Sequence, residues 1–280
     1  MALTTFKRRL GADISRRACL RSGTAMAAMG LVPGWAFEVD PPASPELFVF
    51  RAPDSANTVI GLSIPPDHAP FATTAARIHV GAKTWSADLR GPARVHFAKD
   101  DRVRIFAGGG MVGARFVEAI VLELNAQELR STATVDVWAE ISRGERSRQR
   151  IGNPIVAELV RYDRELGQIH HRISPADDQA VLTPIVTRIV AARAKRLGIA
   201  GDPDAYARRL ADAILPDVIH FDSASPLGFS YARQNGRHPA ERTAEIVHTL
   251  LDGSLVPVVD ERETMPLDRF PYLISPTELT

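Results

Sequence analysis

The strongest constraint on the fold is an alternation of apolar and polar residues that runs from about Pro45 to Val160. A period of two is typical of strands that bury one face in a sheet. Seven segments carry the alternation, and turn-prone residues separate them: Glu46–Ala52, Thr58–Ile64, Ala76–Val80, Arg94–Ala98, Arg102–Ala107, Phe116–Leu124 and Ala133–Glu140. Because no helical pattern lies between these segments, the sequence predicts an antiparallel β-sandwich or barrel-like sheet and disfavours a parallel sheet.

The second half of the chain has the period of helices, so the expected fold class is α+β. Ser174–Asp177 has the residue types of a capping box, which satisfies backbone amides where a helix begins. Further helices are predicted between start and stop residues: Thr183 as cap with Pro184 to Gly198, Asp202-Pro203 to Pro216, and Pro239 to Leu251. We expect a β-rich part over residues 45–160, short α-helices over 161–255 and a tail over 256–280.

Residues 1–36 have the composition of a targeting segment. A basic stretch precedes the apolar run Ser22–Val32, which is too short to span a bilayer comfortably. Small residues up to Ala36 predict cleavage near that position. We therefore expect residues 37–280 to form a single exported domain with no stable membrane span.

The pair Arg16-Arg17 identifies the expected export route. With Cys19 in place of the usual aromatic residue, this stretch resembles a twin-arginine export signal. An ordinary basic secretory leader and a retained amphipathic helix are the alternatives. The sequence therefore predicts a bacterial periplasmic location.

Removal of the leader leaves a mildly acidic chain. The leader carries six of the 34 Lys and Arg residues and one of the 33 Asp and Glu residues, which leaves 28 and 32 and a formal charge of −4. This charge argues against a nucleic-acid partner. The single cysteine, Cys19, is lost with the leader, so the mature chain can form neither a disulfide nor a thiolate metal site.

Histidines are the remaining soft metal ligands, and none has the paired helical spacing of a zinc enzyme. His79 and His96 could meet on neighbouring strands, whose register the sequence does not fix. His170 and His171 are adjacent, so on a strand they would point to opposite faces, and a solvated or turn-forming role is favoured. No cofactor is predicted, and a transition metal at these four residues is the alternative.

The run Gly108–Gly113 matches the letters of a dinucleotide-binding fingerprint. That function needs a helix directly after the glycines, whose positive end faces the pyrophosphate. Phe116–Leu124 follows instead, and it is rich in alternating and β-branched residues. The run is therefore interpreted as a flexible inter-strand loop.

The tripeptide Asn235-Gly236-Arg237 is the candidate ligand-binding motif. Asn and Gly suit a tight turn with positive φ, and the guanidinium of Arg237 matches a carboxylate or phosphate. The favoured interpretation is that Arg237 locks the turn to a buried acid, Asp217 or Asp222. The alternative is an anion-binding site that uses these residues.

Several segments occur in an order that resembles the bacterial domain-of-unknown-function 4331 family of exported proteins: Leu47–Phe50, Arg104–Gly108, Ile120–Leu124, Val137–Ala139, Ile151–Pro154, Leu215–Val218 and Asn235–Arg237. The resemblance covers most of residues 45–255. The chain lacks the family's histidine-containing opening, and it has Glu241-Arg242 where the family has two successive acids. The resemblance implies export and the α+β fold predicted above, and it brings no established activity.

No motif in the sequence supplies a set of catalytic residues. The sequence therefore favours a non-catalytic periplasmic protein that binds a small molecule or another envelope protein. A metal-assisted periplasmic hydrolase that uses the candidate histidines is the alternative.

Overall fold

The computed structural model describes residues 44–53, 55–65, 74–88, 94–97, 102–112, 115–129, 134–143, 147–230, 233–239, 241, 243–253 and 269–273. The predicted leader, with Arg16, Arg17 and Ala36, lies outside the described residues. Most of the predicted tail over 256–280 also lies outside them.

All seven predicted strands form, together with five others among the described residues. They are β1 (Glu46–Arg51), β2 (Thr58–Ile64), β3 (Thr74–Val80), β4 (Lys83–Asp88), β5 (Arg94–Phe97), β6 (Val103–Val112), β7 (Arg115–Leu124), β8 (Thr134–Arg143), β9 (Ser147–Ile151), β10 (Ile219–Asp222), β11 (Gly228–Phe229) and β12 (Gln234–Asn235). Strands β1 and β2 are buried on both faces. The first sheet has the order β1-β2-β7-β6-β5, and the second has the order β10-β8-β3-β4 with β9 also paired to β8. All of these pairs are antiparallel.

The two sheets share one apolar core. Leu47, Ile60 and Leu122 from the first sheet lie in the same buried cluster as Ile78 and Ile141 from the second. Alternate residues of a strand point to opposite faces, so the period of two places every second side chain in this core. The predicted α+β fold with antiparallel sheets is confirmed, and the arrangement is sandwich-like, not a closed barrel.

The outer face of the first sheet is covered by residues 269–273 of the chain itself. Tyr272 and Leu273 are buried in one cluster with Phe48, Phe50 and other apolar residues of that face. The rings of Phe50 and Tyr272 meet edge to face at 5.8 Å. This apolar face is therefore closed by the chain.

The glycine run lies inside a strand as far as Val112, so its interpretation as a flexible loop is wrong for residues 108–112. These residues belong to β6, and Gly108 and Gly110 are buried. A Cβ atom on Gly110 would lie 2.9 Å from Leu273 Cβ, so the missing side chain gives residues 269–273 room to pack. The next described element is the strand β7, which does not provide the helix that a dinucleotide site needs.

The helices are α1 (Ala126–Leu129), α2 (Pro154–Tyr162), α3 (Arg164–His170), α4 (Asp178–Val181), α5 (Thr183–Leu197), α6 (Pro203–Ile214) and α7 (Thr243–Asp252), with a 3₁₀ turn over Pro175–Asp177. The predicted capping box at Ser174 is present, and Gly198 ends α5 with φ +67°. Thr183 is the first residue of α5 and Leu182 is its cap, which corrects the predicted capping role of Thr183.

Most of the helices form an excursion from a single sheet edge. Strand β9 pairs with Ala139–Arg143 of β8, and β10 pairs with Thr134–Val137 of the same strand. Both run antiparallel to β8, so β10 continues the line of β9 along one edge. We call residues 152–218, which leave the sheet after β9 and return at β10, the helical excursion.

Candidate functional site

The break between β9 and β10 brings Gly152 and Asp217 into contact. A Cβ atom on Gly152 would clash with the backbone carbonyl of Asp217, so a side chain does not fit there. The backbone amide of Asn153 donates to Asp217 Oδ1 at 2.6 Å, and the Asn153 side chain caps α2 by accepting from the Ile155 amide. These contacts hold both ends of the helical excursion together.

A group of charged and polar side chains lies beside this point, and we call it the junction network: Arg150, His170, His171, Asp178 and Asp217. Arg150 Nη2 donates to both carboxylate oxygens of Asp178 at 2.8 Å. Asp178 Oδ2 accepts from the Asp217 amide at 2.7 Å, and His170 Nε2 lies 2.6 Å from Asp217 Oδ2. Every member except His171 is at most 2% exposed. The network therefore joins β9, the helices and the start of β10 inside the protein.

Burial and charge shift the pKa values within the junction network. Burial opposes ionisation of Asp217, but its hydrogen bond with His170 and the charge of Arg150 outweigh burial and hold the pKa of Asp217 below its ordinary value. Burial raises the pKa of Asp178 in spite of Arg150 and the Asp217 amide. Burial, helped by His170 and Arg150, lowers the pKa of His171 to about 4, so this ring is neutral at neutral pH.

The expected solvated or turn-forming role of His170 and His171 is wrong for His170. His170 ends α3 and is buried, while His171 caps that helix and begins a turn. The pair lies at a helix end and not on a strand, so the two Nδ1 atoms approach to 3.0 Å. Within the described ranges, no group of three or more His, Cys, Asp or Glu residues is arranged to hold a metal ion.

His79 and His96 do not lie on neighbouring strands, which corrects the prediction that they could meet. His79 belongs to β3 in the second sheet, and His96 belongs to β5 in the first. The side chain of His96 lies outside what the structure describes. A shared metal site is therefore not supported by the topology.

The segment Asn235-Gly236-Arg237 links the edges of the two sheets. Gly236 has φ +73°, as predicted for this turn, and its amide donates to the carbonyl of His220 in β10 at 2.7 Å. Arg237 pairs through its backbone with Val49 of β1, with N–O distances of 2.7 and 2.9 Å. The amide of Asp222 donates to Asn235 Oδ1 at 2.7 Å. These contacts give the motif a structural role.

Arg237 is only 3% exposed, and the acid beside it is Glu46, where Asp217 or Asp222 was expected. Its Nη2 donates to Glu46 Oε1 at 3.2 Å, and its Nη1 donates to the carbonyl of Leu47 at 3.2 Å. Asp217 belongs to the junction network, and Asp222 accepts from Ala224 and Ser225. Arg237 therefore forms the predicted ion pair with Glu46 and not with Asp217 or Asp222.

A second group of polar residues lies on the face of the second sheet that points away from the core, and we call it the outer-face cluster: Arg77, His79, Trp138, Glu140 and Arg148. Arg77 Nη1 donates to Glu140 Oε1 at 2.7 Å, and Arg148 Nε contacts Glu140 Oε2 at 2.5 Å. The Glu140 side chain is 5% exposed, whereas those of Arg77 and Arg148 are 54% and 40% exposed. One buried carboxylate therefore holds two arginines that face solvent.

Trp138 lies on β8, next to these two arginines. The His79 ring stacks on it with centroids 3.8 Å apart and planes 4° apart, and Arg148 Cζ lies 5.8 Å from the Trp138 ring centroid. Burial lowers the pKa of His79 despite Glu140, so the ring is neutral at neutral pH. His79 Nδ1 lies 3.0 Å from Thr84 Oγ1, while its Nε2 has no hydrogen-bond partner among the described residues.

Sequence reasoning found His79 but missed the other members of the outer-face cluster. Alternation already places Trp138 and Glu140 on one face of a predicted strand. The missing information was β9, which supplies Arg148, and the register that sets Glu140 opposite Arg77.

No protein-family model, curated protein or solved structure matches this chain. In the part of the chain that the structure describes, no helix has the length and apolar character to cross a membrane.

Proposed function

We propose that this chain is an exported periplasmic protein that binds another envelope protein through the outer-face cluster and catalyses no reaction. One observation carries the proposal: Glu140 holds the partly exposed Arg77 and Arg148 beside Trp138. Trp and Arg are enriched among the residues that dominate binding energy at protein interfaces. Side chains held in place before binding lose less conformational entropy when a partner arrives.

The two outer faces of the sandwich-like fold support the choice of surface. The apolar part of the outer face of the first sheet is covered by residues 269–273. The second sheet instead presents charged and aromatic side chains, several of which are partly exposed. A small molecule is the other ligand expected from the sequence, but an exposed sheet face suits a protein partner better, since small-molecule sites are concave.

The alternative, a metal-assisted hydrolase, has weaker support. It requires histidines that meet around a metal and a substrate, whereas His79 and His96 belong to different sheets. His170 is enclosed in the junction network, where substrate cannot reach it without local opening. Export and membership of the domain-of-unknown-function 4331 family remain part of the proposal, supported by the leader and by the ordered segments.

A photo-crosslinking amino acid placed at Ser86 tests the proposal in the producing cells. Ser86 is exposed and lies directly opposite Arg77 on β4, so a partner on the outer-face cluster comes within its reach. We expect a crosslinked species of discrete mass that disappears in a Trp138→Ala background. The same amino acid at Glu165, whose side chain is 69% exposed on α3, is the control. Identical products from both positions, or no product from Ser86, would contradict the proposal.

A further inference from the structure

We infer that the partner presents an acidic segment to Arg77 and Arg148 of the outer-face cluster, an inference that rests on the proposed function. The local charge of the cluster is positive. The two guanidinium groups face a single carboxylate, Glu140, and burial keeps the His79 ring neutral. The cluster therefore carries a net charge of about +1, in a mature chain that is acidic by sequence.

The N–H groups of Arg77 and Arg148 also favour a carboxylate partner. A guanidinium has five N–H groups in a planar fork. The contacts to Glu140 use Nη1 of Arg77 and Nε of Arg148, one on each carboxylate oxygen. Both arginine side chains remain about half exposed, so a partner can reach them from solvent. Carboxylates of Asp and Glu match such forks in shape and charge.

Other charged groups among the described residues of this face limit where the segment lies: Arg150 is paired with Asp178 in the junction network, and Asp136 lies beside His220. Asp136 is two residues before Trp138 on β8, and its Oδ1 lies 2.6 Å from His220 Nδ1. The hydrogen bond with Asp136 raises the pKa of His220. Protonation of His220 is therefore favoured, and its positive charge offsets that of Asp136. The positive end of the face is therefore the end that holds Arg77 and Arg148, and Trp138 borders it with an apolar surface.

The test uses the purified protein and a fluorescein-labelled hexaglutamate peptide, whose binding is followed by fluorescence anisotropy at low ionic strength. We expect the peptide to bind, and Arg77→Ala and Arg148→Ala each to weaken binding about fivefold, the upper end of the range for an exposed ion pair. Added salt should weaken binding further, because exposed charges are screened. A labelled hexalysine peptide is attracted to the acidic chain elsewhere, so its binding should not weaken in Arg77→Ala or Arg148→Ala.

Arg104→Ala is the matched control. Arg104 is 43% exposed and lies 3.6 Å from the 4%-exposed carboxylate of Glu123, so it has the same kind of ion pair in the first sheet. Its removal should leave hexaglutamate affinity within about twofold, as expected for a charge outside the site. Arg77→Lys keeps the charge and should bind the peptide better than Arg77→Ala, while thermal unfolding reports whether each variant is folded.

Three results would overturn the inference: no hexaglutamate binding by the wild type, an equal loss in Arg104→Ala, or an Arg77→Lys variant as weak as Arg77→Ala. If the Ser86 crosslink persists alongside any of these results, the proposed function stands and only the acidic chemistry of the partner is wrong. If the crosslink is also missing, the proposed function fails as well.

Discussion

At Gly152 the fold leaves no space for a single carbon atom. Its Cα faces the carbonyl of Asp217, at the point where the helical excursion leaves and rejoins the sheet. A methyl group there must push β9 and β10 apart, because the obstacle is backbone and not a flexible side chain. We expect Gly152→Ala to lower the free energy of unfolding by at least about 2 kcal/mol, the range for overpacking at a rigid site. Urea denaturation measures the change.

Gly201→Ala is the control for that substitution. A Cβ atom at Gly201 meets nothing within 4 Å, so this variant should stay within about 0.5 kcal/mol of the wild type, as surface substitutions usually do. Equal stability of the two variants would show that the contact between Gly152 and Asp217 does not hold the excursion in place.

At the scale of elements, the sequence predicted most of the strands and the later helices but not the connection between them. Strands β1 and β2 were readable because each is a short run rich in apolar residues between turn residues, and both faces of these strands are buried. Strands β9 and β10 are short, and the pairing of β10 with β8 spans the whole helical excursion, so no local pattern reveals it. The junction network was hidden for the same reason: Arg150, Asp178 and Asp217 lie far apart in the chain and meet only when β10 returns to the edge beside β9.

The attachment of the helical excursion should depend on pH through His171. Its folded pKa is about 4, against an ordinary value of 6.5, so the unfolded chain takes up a proton at a higher pH than the folded chain does. Stability from this group is therefore complete above pH 6.5 and falls as the pH drops toward 4. Between pH 7 and pH 5 we expect a loss of about 2 kcal/mol from this residue, measured as the change in urea unfolding free energy.

His171→Gln cannot titrate, so its stability should depend less on pH over this interval by that same amount. His248→Gln serves as the control, since His248 is partly exposed on α7 and lies outside the junction network. The comparison stops at pH 5, above the titration of Asp217, whose pKa is lowered. The difference between wild type and His171→Gln removes the contribution of Asp178, whose pKa is raised. Parallel pH dependence of wild type and His171→Gln would refute the assignment.

For the molecule as a whole, the proposed leader bears on both the charge of the folded domain and the location of the protein. The outer-face cluster can meet an envelope partner only if the chain crosses the inner membrane, and the twin-arginine route carries proteins that have already folded. The core and the junction network among the described residues contain no cysteine, so their stability requires no oxidising compartment. Folding before export is therefore compatible with the way these residues are held together.

The last prediction concerns export, which should depend on the guanidinium groups of Arg16 and Arg17 and not on their positive charge alone. A receptor that reads guanidinium groups should reject Arg16→Lys with Arg17→Lys, although the leader keeps its charge. We expect precursor of full length to accumulate in the cytoplasm, detected by cell fractionation and immunoblotting. The same conservative change at Arg8 and Arg9, a second arginine pair in the basic stretch, should leave delivery intact. Normal delivery of the Arg16/Arg17 variant would point to an ordinary secretory leader, while failure of both variants would mean that the whole basic stretch, and not the Arg16-Arg17 pair, is read.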